Sequence, residues 1–347
     1  MAESDKNEIY LSSSPHFHSP LSVKRLMYSV VIALLPICVE GILLYGIRVL
    51  GLILTSVATC MSGEYVYRKL LKKKRKNTAL DGSAIITGIL LALVMPPTVP
   101  FWVIILGDLF AIIVVKNIFG GLGQNVWNPA LGGRAFLMIS FPAIMGSAWI
   151  NPKTDAVSSA TILSQIKSSA DAVTQATSHA SNIPEPTGFL DTFLNGHFAG
   201  IFEYKDLYLD YLLGNRAGCI GESSALLIII TGIVLILLRV IDWRIPFSFI
   251  GTVVLCTFIS GGDIVMCVLS GGLLLGAFFM ATDYVTSPMT RPGMLIFGAG
   301  CGLVTFLIRT FGGYPEGVMF SILFMNCFYP FLNNIIPRKY GYGKIGK

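Results

Sequence analysis

In 347 residues the chain is 54% hydrophobic and 13% charged, with a mean hydropathy of +0.71 and a formal net charge of +6. A water-soluble domain carries about 25% charged residues, so the composition excludes a protein whose main solvent is water. The positive balance gathers beside apolar segments, which reads as membrane topology and not as a nucleic-acid surface.

Residues 1–25 are polar and lack a cleavable signal, so they are expected to form an uncleaved cytoplasmic tail. A helical span needs about 20 apolar residues. By that measure ten apolar stretches follow: 26–45, 47–66, 80–96, 99–118, 131–149, 222–240, 244–260, 262–281, 293–310 and 316–336. Lipid offers no partner to a free backbone group, so each span is expected to be a helix. The fold class is therefore an all-α polytopic membrane protein. The fifth stretch is short and opens on Gly132, Gly133 and Arg134. Pro96, Pro97 and Pro100 are all that separates the third and fourth, which leaves a broken or re-entrant pair open.

Residues 150–215 are the one extended polar stretch, rich in Ser, Thr, Ala and Asn. Counting Lys and Arg across ten spans with the N-terminus inside gives 19 on the inner side and six on the outer. Both termini are then cytoplasmic and 150–215 faces the exterior. The expected organisation is a tail at 1–25, five spans over 26–149, the exterior loop, five spans over 216–336 and a cytoplasmic tail at 337–347. Six of the seven cysteines fall within spans, Cys219 lies just before one, and none forms a CxxC pair. Core packing is their default role, and no metal is expected.

Shifting the chain by 192 positions lays MPPTVP at 95–100 over SPMTRP at 287–292, and Phe119-Gly120-Gly121 over Phe311-Gly312-Gly313. The first Pro-rich turn would lie outside and the second inside. Two inverted five-helix repeats are expected, with a functional site near the midplane.

The exterior stretch contains DAVTQATS, Asp171 to Ser178. On its own this is an unremarkable polar segment, and a Thr hydroxyl needs an activating partner to act as a nucleophile. The segment resembles the flavin-attachment signature of a family of membrane flavoproteins. That family comprises the D subunit of the Rnf complex and the B subunit of the sodium-translocating NADH:quinone reductase. SSSPHFHSP at 12–20, DGSAIITGILLAL at 81–93, NVWNPALGGRAF at 125–136, GESSALLIIITG at 221–232 and FFMATDYVTSP at 278–288 resemble family segments in the same order. Gln175 stands where the family pattern has Gly, and Ser178-His179 where Pro-Leu is common. The short tail before the first span and the total length favour the Rnf member over its longer relative.

The resemblance implies FMN joined through its phosphate to Thr177 by a dedicated FMN transferase, with Asp171, Thr174 and Ala176 completing the motif. It also implies a second, non-covalent flavin, riboflavin, and a fold like that of urea channels. A tether keeps the flavin at high effective concentration, and the ring still needs a mostly apolar pocket. Glu222, Ser223 and Ser224, in GNRAGCIGESSA, are expected at the outer end of the sixth span. There they either meet the flavin with free N–H groups or cap the helix. Asn125, Asn128 and Arg134 are expected on the inner side, together with Asp283, Thr286, Ser287 and Thr290. Two readings stay open for that group: a riboflavin site or ion path, or an Arg134–Asp283 pair closing the two repeats.

The function so implied is a subunit of a Na⁺- or H⁺-translocating ferredoxin:NAD⁺ oxidoreductase in a bacterial inner membrane. Its partners would be the Rnf subunits A, B, C, E and G. The alternatives are the quinone reductase subunit and a urea-type solute channel. No GxGxxG-plus-acid fingerprint or cluster-binding Cys pattern is present, so nicotinamide and iron–sulfur sites would belong to the partners.

Overall fold

A computed structural model of the chain describes residues 22–70, 81–147, 149–150, 157–158, 209, 211–214, 218–261, 263–312 and 316–335. Twelve α-helices run through them, and helical segments fall within each of the ten apolar stretches. In the first half these are α1 (Val23–Tyr45), α2 (Ile47–Leu70), α3 (Ser83–Leu93), α4 (Phe101–Leu109), α5 (Pro129–Ser140) and α6 (Pro142–Ser147). The second half holds α7 (Ala225–Leu237), α8 (Arg244–Ser260), α9 (Ile264–Leu269), α10 (Leu273–Leu275), α11 (Arg291–Phe311) and α12 (Val318–Asn333). Two π-helical segments continue α4 over Phe110–Asn117 and α10 over Gly276–Met280. A two-residue antiparallel pair, Trp149–Ile150 with Val157–Ser158, is the exception to the helical pattern among the described residues.

Burial is inverted relative to a water-soluble bundle. Leu43, Leu237 and Phe311 are 79%, 75% and 78% exposed, while Leu34, Leu52, Leu91, Ile104 and Phe249 are fully buried. Exposed apolar area on that scale needs lipid as its solvent, and the chain is a multi-pass membrane protein. α1, α2 and α11 are each long and apolar enough to cross a membrane. The helices pack closely through small residues. A Cβ at Gly298 would sit 2.7 Å from the Ile245 carbonyl, and one at Gly302 2.7 Å from the Phe249 carbonyl. These two glycines let α8 and α11 form the most extensive helix contact among the described residues.

Two helices stop short. With 11 residues, α3 rises about 16 Å, roughly half the hydrocarbon thickness. It ends in a turn whose Val94, Met95 and Val99 are buried. There the Ile220 N–H donates to the Met95 carbonyl at 3.1 Å, joining the second half to the first. In the second half, α9 breaks at Ser270–Gly272 before α10 begins. Each break is held by an arginine. Arg48 donates to the Thr98 and Val99 carbonyls at 3.0 and 3.2 Å. Arg309 donates to those of Cys267, Ser270 and Gly271 at 2.7, 3.0 and 3.2 Å.

Candidate functional site: two buried polar clusters

The structure separates residues that the sequence grouped. Asn128 is the N-cap of α5, its Oδ1 accepting from Ala130 N at 3.0 Å and Leu131 N at 3.4 Å. Its Nδ2 donates to the Met280 carbonyl at 3.2 Å, so one side chain ties α5 to the end of the second π segment. Asn125 turns back on its own loop, donating to the Trp127 carbonyl at 3.0 Å. Thr286 donates to Asp283 Oδ2 at 3.1 Å. Oriented to satisfy its neighbours, the fully buried Asn326 donates to the Thr286 and Ile322 carbonyls and accepts from Asn128 N. It thereby connects the two groups.

Asn125, Asn128 and Asp283 line a cavity whose empty space, its open mouth included, is about 690 Å³. Ser83, Thr87, Lys116, Asn125, Asn128 and Asp283 supply its polar wall. Met27, Leu90, Leu235, Ile241, Phe278 and Phe279 supply much of its apolar wall. Burial holds the Asp283 carboxyl above the usual carboxylate range, and the Thr286 hydrogen bond offsets part of that rise. Beside the cavity the Tyr284 hydroxyl donates to the Val240 carbonyl.

Arg134 is not part of this group, and the Arg134–Asp283 pair is corrected. Its guanidinium donates to Glu316 Oε2 at 2.5 Å and to Cys219 Sγ at 3.4 Å. The reason is helical geometry. Arg134 lies six residues beyond Asn128, which at about 100° and 1.5 Å per residue puts it about 9 Å along α5 and on another face. It joins Glu222 in lining a second cavity of about 370 Å³, with Glu316, Gly271 and Gly272. A Cβ at Gly272 would lie 2.6 Å from Glu222 Oε1, so that glycine makes room for the carboxylate. Ligand atoms of Cys219, Glu222 and Glu316 lie within 4.8 Å of one another. The protein's own guanidinium supplies positive charge at that spot.

Glu222 sits in a buried 3₁₀ turn, Ile220–Glu222, just before α7. Ser223 Oγ donates to the Ile220 carbonyl at 2.7 Å. Ser224 is the N-cap of α7: its Oγ accepts from Leu227 N at 3.3 Å and donates to the Leu212 carbonyl at 3.0 Å. Asp171, Thr174, Ala176 and Thr177 lie outside the described residues.

Four charged residues escaped the sequence reading as site members: Glu64, Asp108, Lys116 and Glu316. The signal for three of them was there, since Glu64, Asp108 and Lys116 fall inside apolar spans, where charges are rare and costly. Lys116 Nζ donates to Glu64 Oε2 and to Ser83 Oγ, both at 2.8 Å, and Arg68 donates to Glu64 Oε1 at 2.7 Å. Asp108 is fully buried.

The sequence profile of the NQR2, RnfD, RnfE family matches residues 10–341. The chain is 41% identical over 344 residues to the D subunit of the Na(+)-translocating ferredoxin:NAD(+) oxidoreductase complex of Acetobacterium woodii, covering 98% of each chain. It is 40% identical over 351 residues to the D subunit of the proton-translocating ferredoxin:NAD(+) oxidoreductase complex of Clostridium ljungdahlii, again covering 98% of each. Against the D subunit of the ion-translocating oxidoreductase complex of Stutzerimonas stutzeri it is 38% identical over 339 residues, covering 94% of each. With the match running from the polar tail through the last helix, the chain belongs to the NQR2, RnfD, RnfE family.

Proposed function

We propose that this chain is the D subunit of an ion-translocating ferredoxin:NAD⁺ oxidoreductase, a membrane flavoprotein working with the other subunits of that complex. The observation that carries the reading is 40–41% identity, over 98% of both chains, to two relatives named as that subunit. Thr177 in DAVTQATS is the acceptor for FMN, attached through its phosphate. When bound, the flavin supplies electron transfer.

The architecture fits two inverted five-helix repeats. A shift of 192 positions lays α1, α2, α3, α4 with its π segment, and α5 over α7, α8, α10 with its π segment, α11 and α12 in turn. The Lys and Arg distribution supports cytoplasmic termini, with residues 150–215 on the exterior of a bacterial inner membrane.

A second, non-covalent flavin fits the cavity around Asn125, Asn128 and Asp283. Its lining, mostly apolar with a few polar groups, is of the kind that small-molecule sites have. Phe278 and Phe279 offer aromatic surface there, and Thr87, Asn125 and Ser83 offer hydrogen bonds. Arg134, Glu222 and Glu316 hold charge at membrane depth, where a change in nearby charge biases one arrangement of the two halves over another. Moving one charge against the field takes about 2.3 kcal/mol per 100 mV, which sets the scale of the coupling required.

Intact-mass measurement of the chain purified from its host, beside a Thr177→Ala variant, tests the reading. One esterified FMN, absent from the variant, is the expected result. An unmodified chain from a host that has the transferase removes the flavoprotein assignment.

A further inference from the structure

The helices α2, α3 and α4 enclose a further polar group, away from both cavities. Asp108, near the end of α4, has no solvent-exposed surface. Ser56 Oγ lies 2.7 Å from its Oδ1 and 2.8 Å from the Gly88 carbonyl, and Cys60 Sγ lies 3.3 Å from the same Oδ1. Asp108 Oδ2 is buried with no hydrogen-bond partner among the described residues. The contact is built by close packing. A Cβ at Gly88 would fall 2.9 Å from Val57 Cα, so the glycine lets α3 come near enough for its carbonyl to reach Ser56.

Counting hydrogens leaves one of the two Ser56 contacts without a proton unless Asp108 supplies it. A serine hydroxyl has one proton to give, yet Ser56 Oγ stands at hydrogen-bond distance from two oxygens that otherwise only accept. If Ser56 donates to Gly88, a proton on Asp108 Oδ1 fills the second contact by donating to Ser56 Oγ. The charges around it agree. Among the described residues, no Lys or Arg forms an ion pair with Asp108. From α2, Glu64 is engaged by Lys116 and Arg68. The one charged residue of α5 is Arg134, which is bound to Glu316, and α3 carries no charged residue. The nearby layer of Cys60, Ala84 and Ile112 forms a small apolar cluster of its own. An unpaired carboxylate in such a place is strongly disfavoured and takes up a proton instead.

We infer that Asp108 is a proton-binding site within the membrane, holding its proton toward Ser56 Oγ while Ser56 donates to the Gly88 carbonyl. The site is separate from the flavin positions, and the inference stands on the hydrogen count whether or not Thr177 carries FMN. Ser56 and Cys60 continue one face of α2 toward Glu64, at intervals of four residues. Glu64 meets Lys116 at the wall of the larger cavity. The π-helical segment that follows Asp108 sets Lys116 on that same wall, and π segments gather at functional positions.

Infrared spectroscopy of the purified complex at neutral pH tests this. The wild type is expected to show the C=O band of a protonated carboxyl that shifts in D₂O. The band should be missing in Asp108→Asn, whose amide donates to Ser56 as the acid does, and displaced in Asp108→Glu. Identical carboxyl bands in wild type and Asp108→Asn would overturn the inference. If Asp108→Asn does not assemble, Asp108→Glu decides alone: a displaced band supports the site, and an unmoved one overturns it. Flavin mass measured on the same samples keeps the result independent of the Thr177 assignment.

Discussion

Arg134 and Glu316, 182 positions apart in sequence, form a buried salt bridge between α5 and the turn that opens α12. Their side chains are 8% and 12% exposed, so both charges are largely withdrawn from water.

Breaking that pair is therefore expected to be expensive. Removal of one partner of a buried pair costs about 3–5 kcal/mol, because the other charge is left uncompensated. Arg134→Ala should lower the thermal stability and yield of the complex by that order. Arg134→Ala with Glu316→Ala should recover part of the loss, and a double-mutant cycle on melting temperatures measures the coupling.

A different asymmetry governs the Glu64 cluster. Glu64 accepts from both Lys116 and Arg68, whereas Lys116 has Glu64 as its one ion-pair partner among the described residues. Glu64→Gln strands a buried ammonium and should cost more than Lys116→Met, which leaves Arg68 on the carboxylate. Comparing the two variants in a denaturation series gives the order directly.

The pH dependence near Asp283 has a defined sign. Burial raises its carboxyl above the usual range, so folding favours the neutral acid. Stability tied to that proton is complete below the unfolded value and is lost as pH rises through the folded one. Asp283→Asn, which keeps an oxygen for Thr286, should flatten this part of a melting-temperature-against-pH curve.

Space rather than charge controls the α8·α11 crossing. Gly302→Ala drives a methyl toward the Phe249 carbonyl and should cost about 1–3 kcal/mol. A methyl added at Gly251 would meet no atom of the described residues within 4 Å. Gly251→Ala should thus be neutral or gain up to about 1 kcal/mol from helix propensity. Melting curves of the two alanine variants separate packing from propensity.

The larger cavity gives a test that spares the covalent site. Thr87 lines it, and Thr87→Trp would fill part of the space. Non-covalent flavin extracted from the complex should fall, with FMN on Thr177 unchanged by mass.

Hydropathy made the helical membrane character and the succession of apolar stretches legible, because lipid imposes the same length and composition on every crossing. It could not show where α3 stops. Val94 and Met95 are as apolar as the helix before them, and a turn buried in protein looks like a span by composition. The capping role open for Ser224 was readable from its position ahead of an apolar run. The partner of Arg134 was not, since six residues of α5 turn it away from Asn128 and toward Glu316, which no local pattern connects to it.

The hydrogen bond from Ile220 to Met95 also bears on biogenesis. Ile220 is made 125 positions after Met95, and at 5–20 residues per second the ribosome needs roughly 6–25 s to cover that distance. For that interval the end of α3 lacks the donor that later occupies its carbonyl. The helix itself packs against α1, α2 and α5 of the first half, so it is the buried turn after α3, and not the helix, that is completed last.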